Sequence, residues 1–346
     1  VTSLADAGAL FAGTSGYLNT ATFGLPPAAA FAAFAAEAER WHVGDAQGPD
    51  YDSAVTASRA AFARLVGVAP GDVAVGSQVS PLVGLIAASL PGDAEVVAVA
   101  GEFTSLIFPF LAQERRGVRV RLVDQDDLVD AIGPRTTLVA VAAVQSATGR
   151  VADLDAIASR AALHGARTLI DGTQAIGWLP LDATRYDYVV CGAYKWLLAP
   201  RGTAFLAIRP ERRDAIIPHA AGWYAGDDVW SSIYGGPLRL AADARRFDQS
   251  PAWLCWVATA PALELLLTVG VEAIHRHDVD LANRFRAGVG LPPGDSAIVA
   301  VSSPGAAERL AAAGVRASVR AGAARLSFHL YNTAADAERA AMALAQ

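Results

Sequence analysis

The chain has 346 residues, 53% of them hydrophobic and 18% charged, which is enough to bury the core of about two domains. Its formal net charge of −6 argues against nucleic acid or an anionic membrane surface as a partner. The two cysteines, Cys191 and Cys255, stand far apart in apolar surroundings. That excludes a disulfide scaffold and a cysteine-based metal site, and fits a reducing, cytoplasmic compartment.

The opening VTSLADAGALFAG has no basic leader of the secretory kind. Residues 17–27, YLNTATFGLPP, read as a short strand and turn, and the Ala-rich residues 28–40 as a helix with Phe31 and Phe34 on one face. Trp41 to Tyr51 is a loop by its Gly, Pro and Asp content. A second helix, Ala54 to Val66, stops at Gly67. A short strand then ends at Val75, and Gly76-Ser77-Gln78-Val79 form a loop. Ser80 is the expected N-cap of the next helix and Pro81 its first residue. Free backbone N–H groups at such a start suit a phosphate.

Apolar strands are expected at Glu95–Ala100, Val118–Val123 and Thr137–Val144. A helix around Asp127 to Ile132 and another from Asp153 to His164 alternate with them. This alternation predicts an α/β fold with a mostly parallel central sheet. VQSATG, 144–149, ends a strand where open α/β sheets bind ligands. No G-x-G-x-x-G run follows the first strand, so a nicotinamide dehydrogenase is not indicated.

The next stretch concentrates the chemistry. Asp171 closes a short strand, Arg167 to Ile170, and Gln174 follows it. A second strand, Tyr186 to Cys191, runs into Gly192-Ala193-Tyr194-Lys195. A lysine amine forms a Schiff base with a cofactor aldehyde, and an acid keeps a pyridine nitrogen protonated so that the ring draws off electrons. Farther on, residues 219–236 scatter Trp223, Tyr224, Trp230 and Tyr234 among Gly and Asp, as a loop. Ala252 to Val271 is apolar but contains Pro261 and Glu264, and reads as a buried interface helix rather than a membrane span. His275, Arg276 and His277 are consecutive on a helix and do not face one another, so no metal site is expected. Residues 297–346 show strand, helix, strand and a final helix.

The order Asp171, Gln174, Lys195, Pro200-Arg201-Gly202 resembles the D-x-x-Q…K…P-x-G motif of the class V branch of pyridoxal-phosphate (PLP) enzymes, fold type I. That branch includes cysteine desulfurases, kynureninases, C–S lyases and several aminotransferases. The resemblance implies a large PLP-binding domain over 16–247. It also implies a small α+β domain built from 1–15 and 248–346. PLP would be linked to Lys195, with Asp171 at its ring nitrogen, Gln174 beside it and Phe103 stacked on the ring where desulfurases carry His. Ser146 fills a slot where many members place Asn. The turn of Ser77, Val79 and Ser80 would hold the phosphate. Ser250, in ARRFDQSPAW, would reach the phosphate of the other subunit of a homodimer. Tyr194, found at this place in kynureninases, would bind phosphate or relay a proton. Gly192 replaces a common phosphate-binding Ser, and Arg201 either supplies the missing charge or is simply solvated. AARLSFHLYNTAAD resembles the family's C-terminal motif, so Arg325 would hold the substrate carboxylate as a bidentate partner. Asn19 and Thr20 lie in the substrate-loop motif, and Trp223 and Tyr224 read as a specificity loop or as packing against a dimer partner.

The implied function is that of a PLP enzyme working on an α-amino acid through an external aldimine, foremost as an aminotransferase. Lysis of a C–S or β bond, kynureninase-like cleavage and epimerisation remain open on the same scaffold, as does a non-catalytic binding protein of this fold. Desulfurases carry a mobile cysteine before the C-terminal motif. From Gly288 to Gly322 there is none, so persulfide chemistry is not expected.

Overall fold

The computed structural model describes residues 3–345. Among these residues ten strands form two sheets. The larger holds β1 (Val73–Gly76), β2 (Glu95–Val99), β3 (Arg119–Val123), β4 (Thr136–Ala142), β5 (Arg167–Asp171), β6 (Tyr188–Gly192) and β7 (Ala204–Ile208). Its spatial order is β1-β7-β6-β5-β4-β2-β3. Only β7 runs against its neighbours. The smaller sheet is antiparallel, with β8 (Ile298–Val301) and β9 (Ser318–Arg320) on either side of β10 (Ala323–Ser327).

Parallel strands buried on both faces read as continuous apolar runs, because alternate side chains feed two separate layers. Val139, Val141, Ile170, Val189 and Phe205 enter one layer. Leu138, Ala140, Leu169, Val190 and Leu206 enter the other. Helices Asp52–Val66, Leu154–His164 and Trp253–Val269 contribute to the first, and Val79–Ala88 and Thr104–Leu111 to the second. A third cluster joins the small sheet to helices Val271–Gly288 and Ala334–Leu344. Two helices end where the glycines predict: Gly67 and Gly165 both adopt the left-handed conformation.

Three local expectations change. Residues 17–27 form no strand, only isolated bridges from Tyr17 to Arg316 and from Asn19 to Ser327. The helix after β1 begins at Val79, two residues before its expected start. Gln78, with extended backbone (φ −153°), is therefore the N-cap, and Ser80 and Pro81 lie inside the first turn. Proline is tolerated there because first-turn N–H groups have no partner within their own helix. Finally, the apolar run is divided between Trp253–Val269 and Val271–Gly288, which meet at an 82° bend. Among the described residues no single helix is long and apolar enough to cross a membrane. Trp253–Val269 instead packs on helices Ala28–His42 and Asp52–Val66.

Candidate active site

The site lies beyond the carboxyl ends of β4, β5 and β6, where loops diverge from a parallel sheet and leave room for a ligand. Asp171 ends β5, opposite Val190 of β6. The turn after β5 is stitched to the end of β6, since the Gly192 N–H donates to Thr173 Oγ1 at 3.0 Å. A cavity of about 240 Å3 opens here, and both Asp171 and Lys195 line it. Each is only 5% exposed, so the protein itself carries most of the cost of burying them.

Their electrostatics are opposed. Burial pushes the Asp171 carboxyl up, against hydrogen bonds from Thr173, whose N–H reaches Oδ1 at 2.9 Å, and the attraction of Lys195. Burial lowers Lys195 to about 8, against the pull of Asp171. Its ammonium lies 5.3 Å from the centre of the Phe103 ring and 5.6 Å from that of Tyr194. Phe103 is 45% exposed and lines the cavity, so it is not a core residue. Tyr194 lines the same space, with the Arg201 guanidinium 5.1 Å over its ring.

Gln174 organises the floor. Its amide donates to Ala21 O (3.0 Å) and Ser146 Oγ (3.1 Å), and its oxygen accepts from Trp196 Nε1 (2.8 Å). Ser146 in turn accepts from Arg325, at 2.5 Å to its carbonyl and 3.3 Å to its hydroxyl. Arg325 is 1% exposed, and burial followed by repulsion from Arg320 lowers it to about 10. It is not on the cavity wall itself but stands directly behind Ser146, which is. The residue after the lysine is held from below: the buried His329 ring bridges Asp278 (2.9 Å) and the Trp196 carbonyl (3.1 Å). Above, Gly24 N–H donates to the Tyr194 carbonyl at 2.9 Å. A Cβ at Gly24 would sit 2.0 Å from the Lys195 carbonyl oxygen, so only glycine lets the N-terminal segment pass this close.

At the other end, Ser77, Gln78 and Val79 line the cavity at the start of helix Val79–Ala88, together with Gly192, Arg201 and Thr203. Ser80 does not line it, because the helix starts earlier than expected and carries Ser80 past the mouth. Gln249 turns inward: Ser77 N–H donates to its Oε1 at 3.4 Å. Ser250 beside it is exposed and outside this chain's cavity.

Other expected residues lie elsewhere. Trp223 and Tyr224 are not brought to the cavity. Tyr224 is buried and donates to Asp52 Oδ1 at 3.1 Å, while Trp223 packs on Tyr224 and Trp230. The aromatic loop is therefore anchored to the helix at Asp52 by its own hydrogen bonds. The Thr20 hydroxyl is bonded to the Tyr331 hydroxyl and buried. Asn19 does not line the cavity either, and its side-chain oxygen is buried without a partner.

Sequence reasoning passed over Glu102, Thr104 and Ser105. The two hydroxyl residues line the cavity in the first turn of helix Thr104–Leu111 and belong to no motif that could have marked them. Glu102 is buried, accepts the Ala142 N–H at 2.8 Å and leaves its second oxygen without a partner. Burial, with a contribution from Asp171, raises it to about 7. Its place next to Phe103 was the available signal.

A buried amine and a buried carboxyl in one cavity, an aromatic face beside them and free amides at one end fit the PLP aldehyde, ring nitrogen, ring and phosphate in turn. Comparison with known proteins agrees. Residues 50–294 match the family model "Aminotransferase class-V". An uncharacterized aminotransferase, YcbU of Bacillus subtilis, is 32% identical over 232 residues, 64% of this chain and 60% of the relative. An isopenicillin N epimerase of Streptomyces clavuligerus is 29% identical over 254 residues, 66% and 63%. The matched stretches thus span somewhat under two thirds of these relatives. Kynureninase and probable cysteine desulfurases are also among the relatives. In structure, a C-DES mutant with glycine covalently linked to its PLP cofactor superposes with a TM-score of 0.87 at 21% identity, covering 98% of both chains. The chain belongs to the class V aminotransferase family, PLP-dependent proteins of fold type I.

Proposed function

We propose that the protein is a PLP-dependent enzyme of α-amino acids, working as an aminotransferase. The reading is carried by the amine of Lys195 and the carboxyl of Asp171, buried in one cavity. When bound, PLP supplies an aldehyde and a ring able to store the electron pair left by a departing α-proton. Asp171 holds a proton at the ring nitrogen, which its water-poor setting strengthens. Lys195, lowered to about 8, is neutral often enough near neutral pH to take a proton from the α-carbon. Phe103 would stack on the ring, with Gln174 and Ser146, already bonded to each other, beside it on the cavity wall. The amides of Val79 and the first helical turn receive the phosphate, with the Ser77 hydroxyl, Tyr194 and Arg201 beside them. Arg325 holds the α-carboxylate and Asn19 offers its unpartnered oxygen to a donor on the substrate. Exposed Ser250 completes the phosphate site of a second copy in a homodimer.

Purified protein should show a visible band with PLP and release keto acid from an amino acid. Lys195→Ala should lose the band and reduce turnover by roughly a thousandfold or more. Colourless protein that ignores added PLP would sink the reading and favour a binding role.

Epimerisation is the second reading. It is supported by the likeness to isopenicillin N epimerase and by Tyr194, a second proton carrier on the cavity wall beside Lys195. Deuterium entering the α-position from solvent, with inversion and without keto acid, would select it. Persulfide formation is not part of the proposal. Cys191 is buried with its thiol pushed well up by burial, and neither it nor Cys255 lines the cavity.

A further inference from the structure

The small sheet brings a second arginine, Arg320, to the same threonine that Arg325 reaches behind the cavity wall. In the β9–β10 hairpin Arg320 pairs with Ala323 and Ser318 with Arg325. Residues two apart on a strand share a face, so Arg320 and Arg325 are diagonal neighbours on one face. The turn between the strands is Ala321-Gly322, both with positive φ (46° and 81°), the tight geometry that keeps this register.

Both guanidinium groups end on one neutral acceptor. Arg325 Nη2 donates to Thr22 Oγ1 at 2.7 Å and Arg320 Nη2 to the same oxygen at 3.3 Å. The remaining contacts of Arg320 and Arg325 are to the Val319 carbonyl and to Ser146. Arg325 Nε is buried with no partner. Among the described residues no carboxylate lies within ion-pair distance of either arginine, whereas most of the arginines that do form ion pairs sit within about 3 Å of their carboxylate. Two like charges brought together, one of them fully buried, without an anion is a costly arrangement that a ligand would relieve. The field of Arg320 also reaches Arg325 and Lys195, so it acts on the reaction centre. One α-carboxylate balances one arginine and leaves the second charge over.

We propose that Arg320 and Arg325 together form a two-cation subsite selecting an α-amino acid whose side chain carries a second carboxylate. The inference rests on the function proposed above for its α-carboxylate contact, but its first test needs no cofactor. Cofactor-free full-length protein is titrated by calorimetry with glutarate and with butyrate, in low and high salt. Glutarate should bind more tightly than butyrate, and Arg320→Gln should weaken glutarate about tenfold while leaving butyrate within about twofold. Arg320→Lys should restore part of the difference, since it keeps the charge without the fork. Equal weakening of both acids would make Arg320 a second clamp on one carboxylate and overturn the proposal, as would no change in either. Arg320 is half-buried at a hairpin end, and unchanged thermal melting confirms that each variant folds. On the PLP-loaded protein, glutamate and aspartate should perturb the visible band at lower concentration than glutamine and asparagine. No perturbation by any amino acid, with the anion result intact, would count against the proposed function alone.

Discussion

The two ends of the cavity differ in how far the chain satisfies itself. Around Asp171 and Gln174 almost every polar atom has an internal partner: Thr173 on the carboxylate, and Ala21, Ser146 and Trp196 on the amide. Around Ser77–Val79 the chain offers amides, a glycine at position 192 and an arginine whose guanidinium meets only the Tyr194 ring. The first end is built before any ligand arrives, because its geometry is fixed by bonds within the fold. The second is left short of negative charge, which suits it to an anion.

That contrast can be broken experimentally. Asp171→Asn keeps the shape of the closed end but removes its charge, so turnover at saturating cofactor should fall by about a hundredfold to a thousandfold, with little change in melting temperature. A loss confined to cofactor affinity would mean that the closed end positions the ring without tuning it. At the open end, Arg201→Gln should weaken PLP about tenfold while pyridoxal, lacking the phosphate, binds as before. The loss should shrink in high salt, because Arg201 is exposed. Equal losses for PLP and pyridoxal would place Arg201 elsewhere than at the phosphate.

A separate effect, on stability rather than turnover, is expected at Glu102, buried beside the closed end. Its carboxyl sits at about 7 against an ordinary 4.5. Between those values the folded chain holds a proton that the unfolded chain has released, so stability falls as pH rises through the window. Glu102→Gln keeps an acceptor for the Ala142 N–H and removes the ionisation. Well above pH 7 it should be more stable than the parent by about 3 kcal/mol, with no difference below the unfolded value. Melting curves at both ends of the window decide this. A parallel pH dependence in the two proteins would assign the effect to another group.

Local pattern carried much of the architecture. Apolar runs bounded by glycine marked β2 to β6 to within about two residues, since strands buried on both faces have no other way to read. Asp171 and Lys195 were legible because each closes or follows such a run, and parallel neighbours must deliver both to the same sheet end. The start of helix Val79–Ala88 was misplaced because capping preference is a weak local signal, overridden here by the extended backbone of Gln78. The aromatic loop misled for a similar reason. Composition marks a loop, but only the hydrogen bond from Tyr224 to Asp52 shows which way its rings turn.

What the sequence by itself determined was the parallel α/β order and the pairing of one acid with one lysine, because period and strand spacing act along the chain. Only the tertiary structure decided that Glu102 is buried next to Asp171, that Gln249 turns toward the Ser77 amide, and that Arg320 and Arg325 meet at Thr22. Those contacts join residues from about 70 to 300 positions apart. Their energies come from burial and from charge at close range, and neither exists until the chain has folded.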